Sequence, residues 1–521
     1  MSDVAQDSQP DRRWLSGGMA VVFVLAAAKL VIHCYYNNRY DFFRDEFDYL
    51  ACARHLAWGY VDQPPVVPFL ARVSLITLGD SLRAIRFLPA LAMSATIVLT
   101  AMIAREFMGR AGALILSAAA VAVAPIYLAD ASLLGTNDFE PILWMGCAYF
   151  AILAVKRDQP RYWLWFGVVA GIGLEEKYTI AFFLIGIVTG LLLTEQRSAF
   201  LSRWPWLGAL AAFVIALPNI LWNIHYDYPF LQLMHNIRMD GRDIQLTPLQ
   251  SLAQQCILLQ PIAAPLWIAG LCALLFCRLF RPYRFLGISY LVTFAILVAL
   301  HGKHYYFAPM YPMLFAAGAV LLEHAVNRPK LVWLPYAAAL LVLAGGTWAA
   351  PLAMPVVPIE RLEAFLDHFP IKVPRSEHSH VGTPLPQHFA DQFGWREIVS
   401  EVNVVWQKIP PAERPDCAIF GQDYGQAGAI DWFGPQYGLP PALSGHQTWF
   451  LWGPRHYSGN CAIVLDDSPR RLAEIYNHVE LVGYTPDNPY ANVRHLPVYI
   501  CKDPKSPGWL QREWPRLKKW R

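Results

Sequence analysis

Apolar runs of helix length recur through the first two thirds of the chain. They lie near residues 15–35, 84–104, 111–128, 139–155, 162–174, 178–194, 204–221, 252–277, 285–300, 305–322 and 331–349. Several approach the roughly 20 residues that cross a bilayer as a helix. The pattern therefore predicts a polytopic α-helical membrane protein with about eleven transmembrane helices. The loops between these runs alternate in character. One set holds Arg105 and Arg110, then Lys156, Arg157 and Arg161, then Arg197 and Arg203, then Arg278, Arg281 and Arg284, then Arg328 and Lys330. Short loops rich in Lys and Arg stay cytoplasmic, and the amino terminus, with Arg12 and Arg13, falls on the same side. A signal peptide would share that N-terminal charge pattern. Lys29 and His33 sit late in the first run, however, and no clear small-residue cleavage site follows, so a retained first helix is expected. An odd number of spans then puts the C-terminal part outside the cytoplasm.

Near Pro351 the pattern changes. Pro351, Pro355 and Pro358 end the last apolar run, and short apolar stretches then alternate with turn signals. CAIFGQD and CAIVLDD read as short strands, and GQAGAIDWFG and RLAEIYNHVE as helices. Residues 1–350 thus form the membrane part, and residues 351–521 an external α/β domain long enough for its own core. The basic tail Arg516–Arg521 reads as a solvated end. No internal repeat interrupts this two-part organisation.

Composition sharpens the class. Only 16% of residues are charged and 55% are hydrophobic, against about 25% charged in soluble domains. A net charge of +3 is too small to suggest a nucleic-acid partner. The abundant Trp and Tyr suit interfacial belts. No CxxC or other metal spacing appears among the cysteines. Cys417, Cys461 and Cys501 lie in the C-terminal part, where an oxidising compartment permits one disulfide of unspecified pairing.

The loops opposite the basic set carry the chemistry. They are Tyr40–Pro68, Asp130–Pro141, Gly173–Thr179, His225–Asp243 and His301–Pro312, rich in carboxylates, aromatics and a few cations. Within the first, Asp41, Asp45, Asp48, Cys52 and His55 share one face at helical spacing, with Phe43, Phe47, Leu50 and Ala51 towards the other. That is the pattern of a helix lying at the membrane surface. Asp45 and Glu46 are adjacent, so they diverge by about 100° on a helix. One suits a general base while the other pairs with Arg44 or Arg54; a surface ion-pair cluster is the plainer reading. Asp62 precedes the double proline Pro64–Pro65, on a turn that Pro makes rigid. It suits a hard-cation ligand or, equally, a cap. Asp138 suits an N-cap of the next helix, and Glu140 its first turn. Lys177 has Glu175 and Glu176 for partners, or snorkels. Lys303 is a point-charge partner for phosphate or an interfacial anchor.

Taken together, these residues resemble the bacterial GT-C glycosyltransferases that use polyprenyl-phosphate sugars, a superfamily that includes protein O-mannosyltransferases and lipid A aminoarabinose transferase. RDEFDYLACARHLAWGYVDQPP is similar to that superfamily's first external loop. The resemblance implies Asp45 as the principal catalytic acid or base, with Glu46 beside it. It implies Asp138 as the acid of the second external loop. It implies a divalent metal ion at Asp45 and Asp62, as in some relatives. Lys177 in GLEEKYT matches the lysine that contacts the lipid phosphate. Lys303 and Tyr305 in KHYYFAPMYP match a later lysine–aromatic–Pro segment with the same task. Gln63 departs from the pattern, standing where some relatives have Lys. The stretch GQDYGQAGAIDWFGPQYGLPPALSGHQTWFLWG resembles the external domain of one bacterial subgroup.

The expectation is an inverting glycosyltransferase of the bacterial inner membrane. It would move a sugar from a polyprenyl-phosphate donor to a lipid, glycan or protein acceptor at the external face. A transporter or flippase of lipid-linked saccharides would place its binding groups near the midplane; here they lie in loops. A non-catalytic glycan-binding scaffold would leave the spaced acids and lysines without a task.

Overall fold

The computed structural model describes residues 17–157, 159–241, 245–326, 330–370 and 383–520. Arg12, Arg13, Asp243, Arg328 and Arg521 fall outside them. Every one of the apolar runs carries helix within these residues. Among the described residues six helices are long and apolar enough to cross a membrane: Gly17–Tyr36, Leu82–Glu106, Trp204–His225, Arg278–Ala299, His304–Ala325 and Leu334–Leu352. Two bent helix pairs, Ile180–Leu192 with Glu195–Leu201 and Pro248–Leu258 with Pro261–Phe276, turn by 105° and 107° and form either broken spans or re-entrant loops. By length and composition the count is therefore six to eight, below the eleven expected. The reason is geometric: Ala111–Val123 and Tyr162–Leu174 have 13 residues each and Glu140–Lys156 has 17. They rise only about 20–26 Å, short of a hydrocarbon core of about 30 Å.

Five shorter helices matter for the site, and they are numbered here after the first span. We label Gly17–Tyr36 α1, Arg44–Arg54 α2, Glu140–Lys156 α3, Trp395–Gln407 α4, Tyr424–Phe433 α5 and Gln447–Leu451 α6. The C-terminal part holds a four-stranded sheet in the order β1-β2-β4-β3, from Cys417–Phe420, Cys461–Leu465, Tyr476–Tyr484 and Pro497–Pro504 as β1 to β4. β1 and β2 are parallel, and β4 runs antiparallel to both β2 and β3. Cys417 lies in register with Cys461, and the two form the disulfide. Cys501 pairs in register with Ala462, one residue on. Side chains alternate across a strand, so Cys501 points to the other sheet face and stays a buried thiol.

Two expectations about this part need correction. RLAEIYNHVE is half helix and half strand, since Pro469–Ile475 ends where Tyr476 begins pairing with β4. The tail is not simply solvated. Trp520 is buried, donates from Nε1 to the Gln447 carbonyl at 3.1 Å and packs with Val61 and Leu233.

The largest departure concerns α2. Its apolar face does not lie against lipid. Phe42, Phe47, Leu50, Ala51 and Ala53 share one buried cluster with Trp395, Ile398 and Val399 of α4, Ala427, Ile430 and Phe433 of α5, and Ile463 of the sheet. Phe47 meets the rings of Trp395 and Phe433 at 5.5 and 5.8 Å. The C-terminal part thus shares one core with the first loop, beside smaller clusters of its own such as that of Ala462, Val464, Leu472, Tyr476, Tyr499 and Cys501.

Candidate active site

The chain enters α2 in extended conformation at Phe43 and turns helical at Arg44. Glu46 reaches back to accept the Phe43 N–H at 2.8 Å, satisfying one orphan donor of the first turn. Asp45 and Glu46 both sit in that turn, where the helix dipole favours negative charge. Their side chains then part company. Glu46 is fully buried and takes the Arg86 guanidinium in a two-pronged ion pair, Nε to Oε1 and Nη2 to Oε2, each at 2.7 Å. Its Oε1 also accepts the Leu134 N–H at 2.9 Å. Arg86 further donates to the Asn37 and Asp41 carbonyls. Glu46 and Arg86 therefore bind the first loop, the second loop and the Leu82–Glu106 span into one unit. Neither Arg44 nor Arg54 is the partner of Glu46.

Asp45 faces the C-terminal domain. Its Oδ1 accepts the hydroxyl hydrogen of Tyr424, the first residue of α5, and lies 3.4 Å from Arg44 Nε. Its side chain is 37% exposed, whereas Glu46 has none. Asp48 follows on the same face, buried, with Oδ2 accepting from Gln63 Nε2 at 3.2 Å and approached by Cys52 Sγ at 3.8 Å. Asp41 falls outside the helix and pairs with Arg396 at 2.6 Å. His55 stacks on Trp452 instead of joining the acids.

Burial pushes the Asp62 carboxyl up to about 7, with the nearby Asp45 charge adding to it. Asp48 is also raised well above the usual range, by burial first and then by Asp62 and Asp45. Buried oxygens of both, Asp48 Oδ1 and Asp62 Oδ1, make no hydrogen bond among the described residues. A hard divalent ion needs several oxygen ligands. Among the described residues no three His, Cys, Asp or Glu converge to hold a metal, and Asp45 Oδ1 is already engaged by Tyr424.

Tyr49, one turn beyond Asp45, is buried where the fields of Asp45, Asp62, Asp48 and Asp138 meet; burial first and these acids next push its phenol up. The second loop reaches it at Gly135, where a β-carbon would lie 3.7 Å from Asp138 Oδ2 and 3.9 Å from the Tyr49 ring. Asp138 does not cap α3. Phe139 occupies that position, and Asp138 instead turns back to accept the Gly135 N–H. Burial, then the Asp130 charge, raises its carboxyl well above the usual range.

Lys177 finds a different acid from the two beside it. Its Nζ donates to Glu140 Oε2 at 2.9 Å and to Asn137 Oδ1, and it sits 4.5 Å from the centre of the Tyr306 ring. Thr179 donates to the other Glu140 oxygen. Burial pulls the Lys177 pKa down, but Glu140 and Tyr306 outweigh it, and the net shift is upward, so the ammonium stays charged. Tyr306 lies in the short helix His304–Met310, which Lys303 precedes and in which Tyr305 meets Tyr306 edge-on at 4.9 Å. Lys177 and the Lys303–Tyr305 segment are thereby brought to one place. Asp45, Asp48, Asp62 and Asp138 converge around Tyr49. Sequence pattern does not single out Arg86, Tyr49 or Tyr424. An Arg inside the start of an apolar run was the one legible signal for Arg86.

A family described as dolichyl-phosphate-mannose-protein mannosyltransferase matches residues 62–222, a stretch with Asp62, Asp138 and Lys177 in it. A lipid A galacturonosyltransferase, RgtD of Rhizobium johnstonii, is 27% identical over 194 residues. That alignment spans 36% of this chain and 39% of the length of RgtD. The fold is similar to ArnT from Cupriavidus metallidurans in the apo state, with a TM-score of 0.60 at 16% identity, over 93% of this chain and 98% of that one. ArnT from the same organism bound to undecaprenyl phosphate gives 0.58 at 16% identity, over 94% and 98%. Residues 62–222 thus match a mannosyltransferase family in sequence, and the chain along nearly its whole length has a fold similar to that of ArnT.

Proposed function

We propose that the protein transfers a sugar from a polyprenyl-phosphate carrier to an acceptor at the external face of a bacterial inner membrane, with Asp45 as general base. One observation carries this reading: of the acids gathered around Tyr49, Asp45 alone combines an exposed side chain with an oxygen held in place by a neighbouring element. Burial raises the Asp48, Asp62 and Asp138 carboxyls above the usual carboxylate range. Glu46 has both oxygens spent on Arg86 and backbone N–H groups; its task is to hold the loops.

In the reaction, Asp45 Oδ2 accepts a proton from the acceptor hydroxyl or amine. That atom attacks the anomeric carbon, the bond from this carbon to the phosphate oxygen breaks on the opposite side, and the configuration inverts. Lys177, kept charged by Glu140, stands with Lys303 and Tyr305 where the departing phosphate needs compensation. Preorganised charge of this kind commonly does more than any other single effect to lower an enzyme's barrier. The lysine- and arginine-rich loops support a cytoplasmic amino terminus and an external C-terminal domain. A glycolipid of the lipid A type is the acceptor class that the galacturonosyltransferase relative favours.

The test is Asp45→Asn, which keeps the side-chain shape. A lost general base lowers turnover by about 100-fold or more, with the folded protein retained. Mass spectrometry of cellular polyprenyl-linked sugars should find the same species accumulating in the deletion strain and in the variant. Near-normal transfer by purified D45N protein would overturn the assignment.

A further inference from the structure

Among the described residues, the C-terminal domain hydrogen-bonds to Asp45 through one side chain, that of Tyr424. That reach depends on how closely α5 lies against α2. A β-carbon at Gly425 would stand 2.6 Å from Arg44 Cγ, and one at Gly428 would stand 2.6 Å from Phe47 Cβ. Only hydrogen fits at either position without displacing the Arg44 side chain or residue Phe47. The contact delivers the Tyr424 hydroxyl to Asp45 Oδ1, while the same hydroxyl accepts from Arg44 Nη2 at 2.9 Å. The Tyr424 ring is fixed behind, stacked on His446 with centres 5.1 Å apart.

We infer that Tyr424 is a positioning residue for transfer: it pins Asp45 by Oδ1 and keeps Arg44 from closing on the carboxylate, leaving Oδ2 for the acceptor. This rests on the reading of Asp45 as the base. Arg44 Nε already stands 3.4 Å from Oδ1. A guanidinium and a carboxylate left together readily form two parallel hydrogen bonds, and a carboxylate so engaged has neither oxygen to offer. The phenol interrupts that pair by occupying Nη2 on one side and donating to Oδ1 on the other. Packing alone does not account for the arrangement. A buried phenol needs a partner for its hydrogen, and Arg44, which only donates, cannot be that partner. The hydrogen goes to the one exposed acid of the cluster, from a residue 379 positions away.

The experiment uses the full-length protein in detergent, with a polyprenyl-phosphate sugar as donor. Tyr424→Phe keeps the ring against His446 and Arg44 and removes only the hydroxyl. The expected result is a fall in kcat of about tenfold or more, the scale on which orientation acts. KM for donor and acceptor and the melting temperature should stay near wild type. A wild-type kcat in Y424F overturns the inference. So does a melting temperature that falls in step with kcat in Y424F, which would mark a packing role. If D45N is inactive and Y424F is fully active, the base reading stands and the Tyr424 inference alone fails; if D45N is active, the base reading itself is wrong.

Discussion

Glu46→Gln keeps the outline of the side chain and removes its charge. The consequence can be worked from four contacts. Oε1 accepts from Arg86 Nε and Leu134 N; Oε2 accepts from Arg86 Nη2 and Phe43 N. An amide nitrogen at either position would face two donors with a donor. The Arg86 guanidinium, with no exposure of its side chain, would also lose its counter-charge. Breaking one side of a buried ion pair costs about 3–5 kcal/mol, and the mismatched donors push towards the upper end of that range. Asp45→Asn, one residue away, touches a partly exposed pair whose worth is below about 1 kcal/mol. Two adjacent carboxylates should therefore give opposite phenotypes. E46Q is expected to lower the apparent melting temperature by several degrees, followed by tryptophan fluorescence in detergent without substrate. D45N should melt near wild type and fail to turn over. An E46Q protein that melts with wild type would refute the view that this pair holds the loops together.

Two more expectations follow from the C-terminal domain. Gly428→Val places a branched side chain where even a β-carbon meets Phe47 at 2.6 Å; overpacking of this kind costs about 1–3 kcal/mol. Because it pries α5 from α2, transfer should fall by more than the melting temperature alone explains; equal losses would argue against the contact. Asp431 on α5 is raised from 3.8 to about 6, chiefly by burial, against the pull of the Ala442 N–H and Arg455. A raised carboxyl stabilises the fold below its unfolded pKa, and that contribution is lost as pH rises through the folded value. The loss is on the order of 3 kcal/mol by pH 8. Asp431→Asn, neutral throughout, should gain in melting temperature relative to wild type between pH 4 and pH 8; a difference constant with pH would contradict the shift.

Much of this architecture is written in local pattern. The apolar runs became helices, CAIF and CAIVL became strands, and the acids of α2 lie on the face that their spacing placed them on, with Asp41 and His55 the exceptions. What local pattern does not carry is the partner. Phe47 and Leu50 read equally well as lipid-facing or core-facing, because hydrocarbon and protein interior both accept them; α5 decides it. Lys177 has two glutamates beside it and pairs with neither. Those two residues are themselves buried, and Glu140, 37 positions back, is presented by the start of α3. RLAEIYNHVE begins as a helix should, but from Tyr476 it pairs with β4, and sheet propensity is set by such neighbours. Arg86, Tyr49 and Tyr424 lie outside any spacing rule, since each acts on the site through contacts that only the folded chain creates.

The shared core of α2 and the C-terminal domain also sets a clock on biogenesis. The ribosome makes Phe47 and Leu50 long before it makes Ala427 and Ile430, and Asp45 precedes Tyr424 by 379 residues. At about 5–20 residues per second this leaves an interval of roughly 20–75 s, during which every later span must be inserted. Through that interval an emerged α2 shows a sticky, unfinished face. A truncated chain would never bury it, which gives proteases an address for incomplete copies and ties the appearance of a working site to completion of the whole polypeptide.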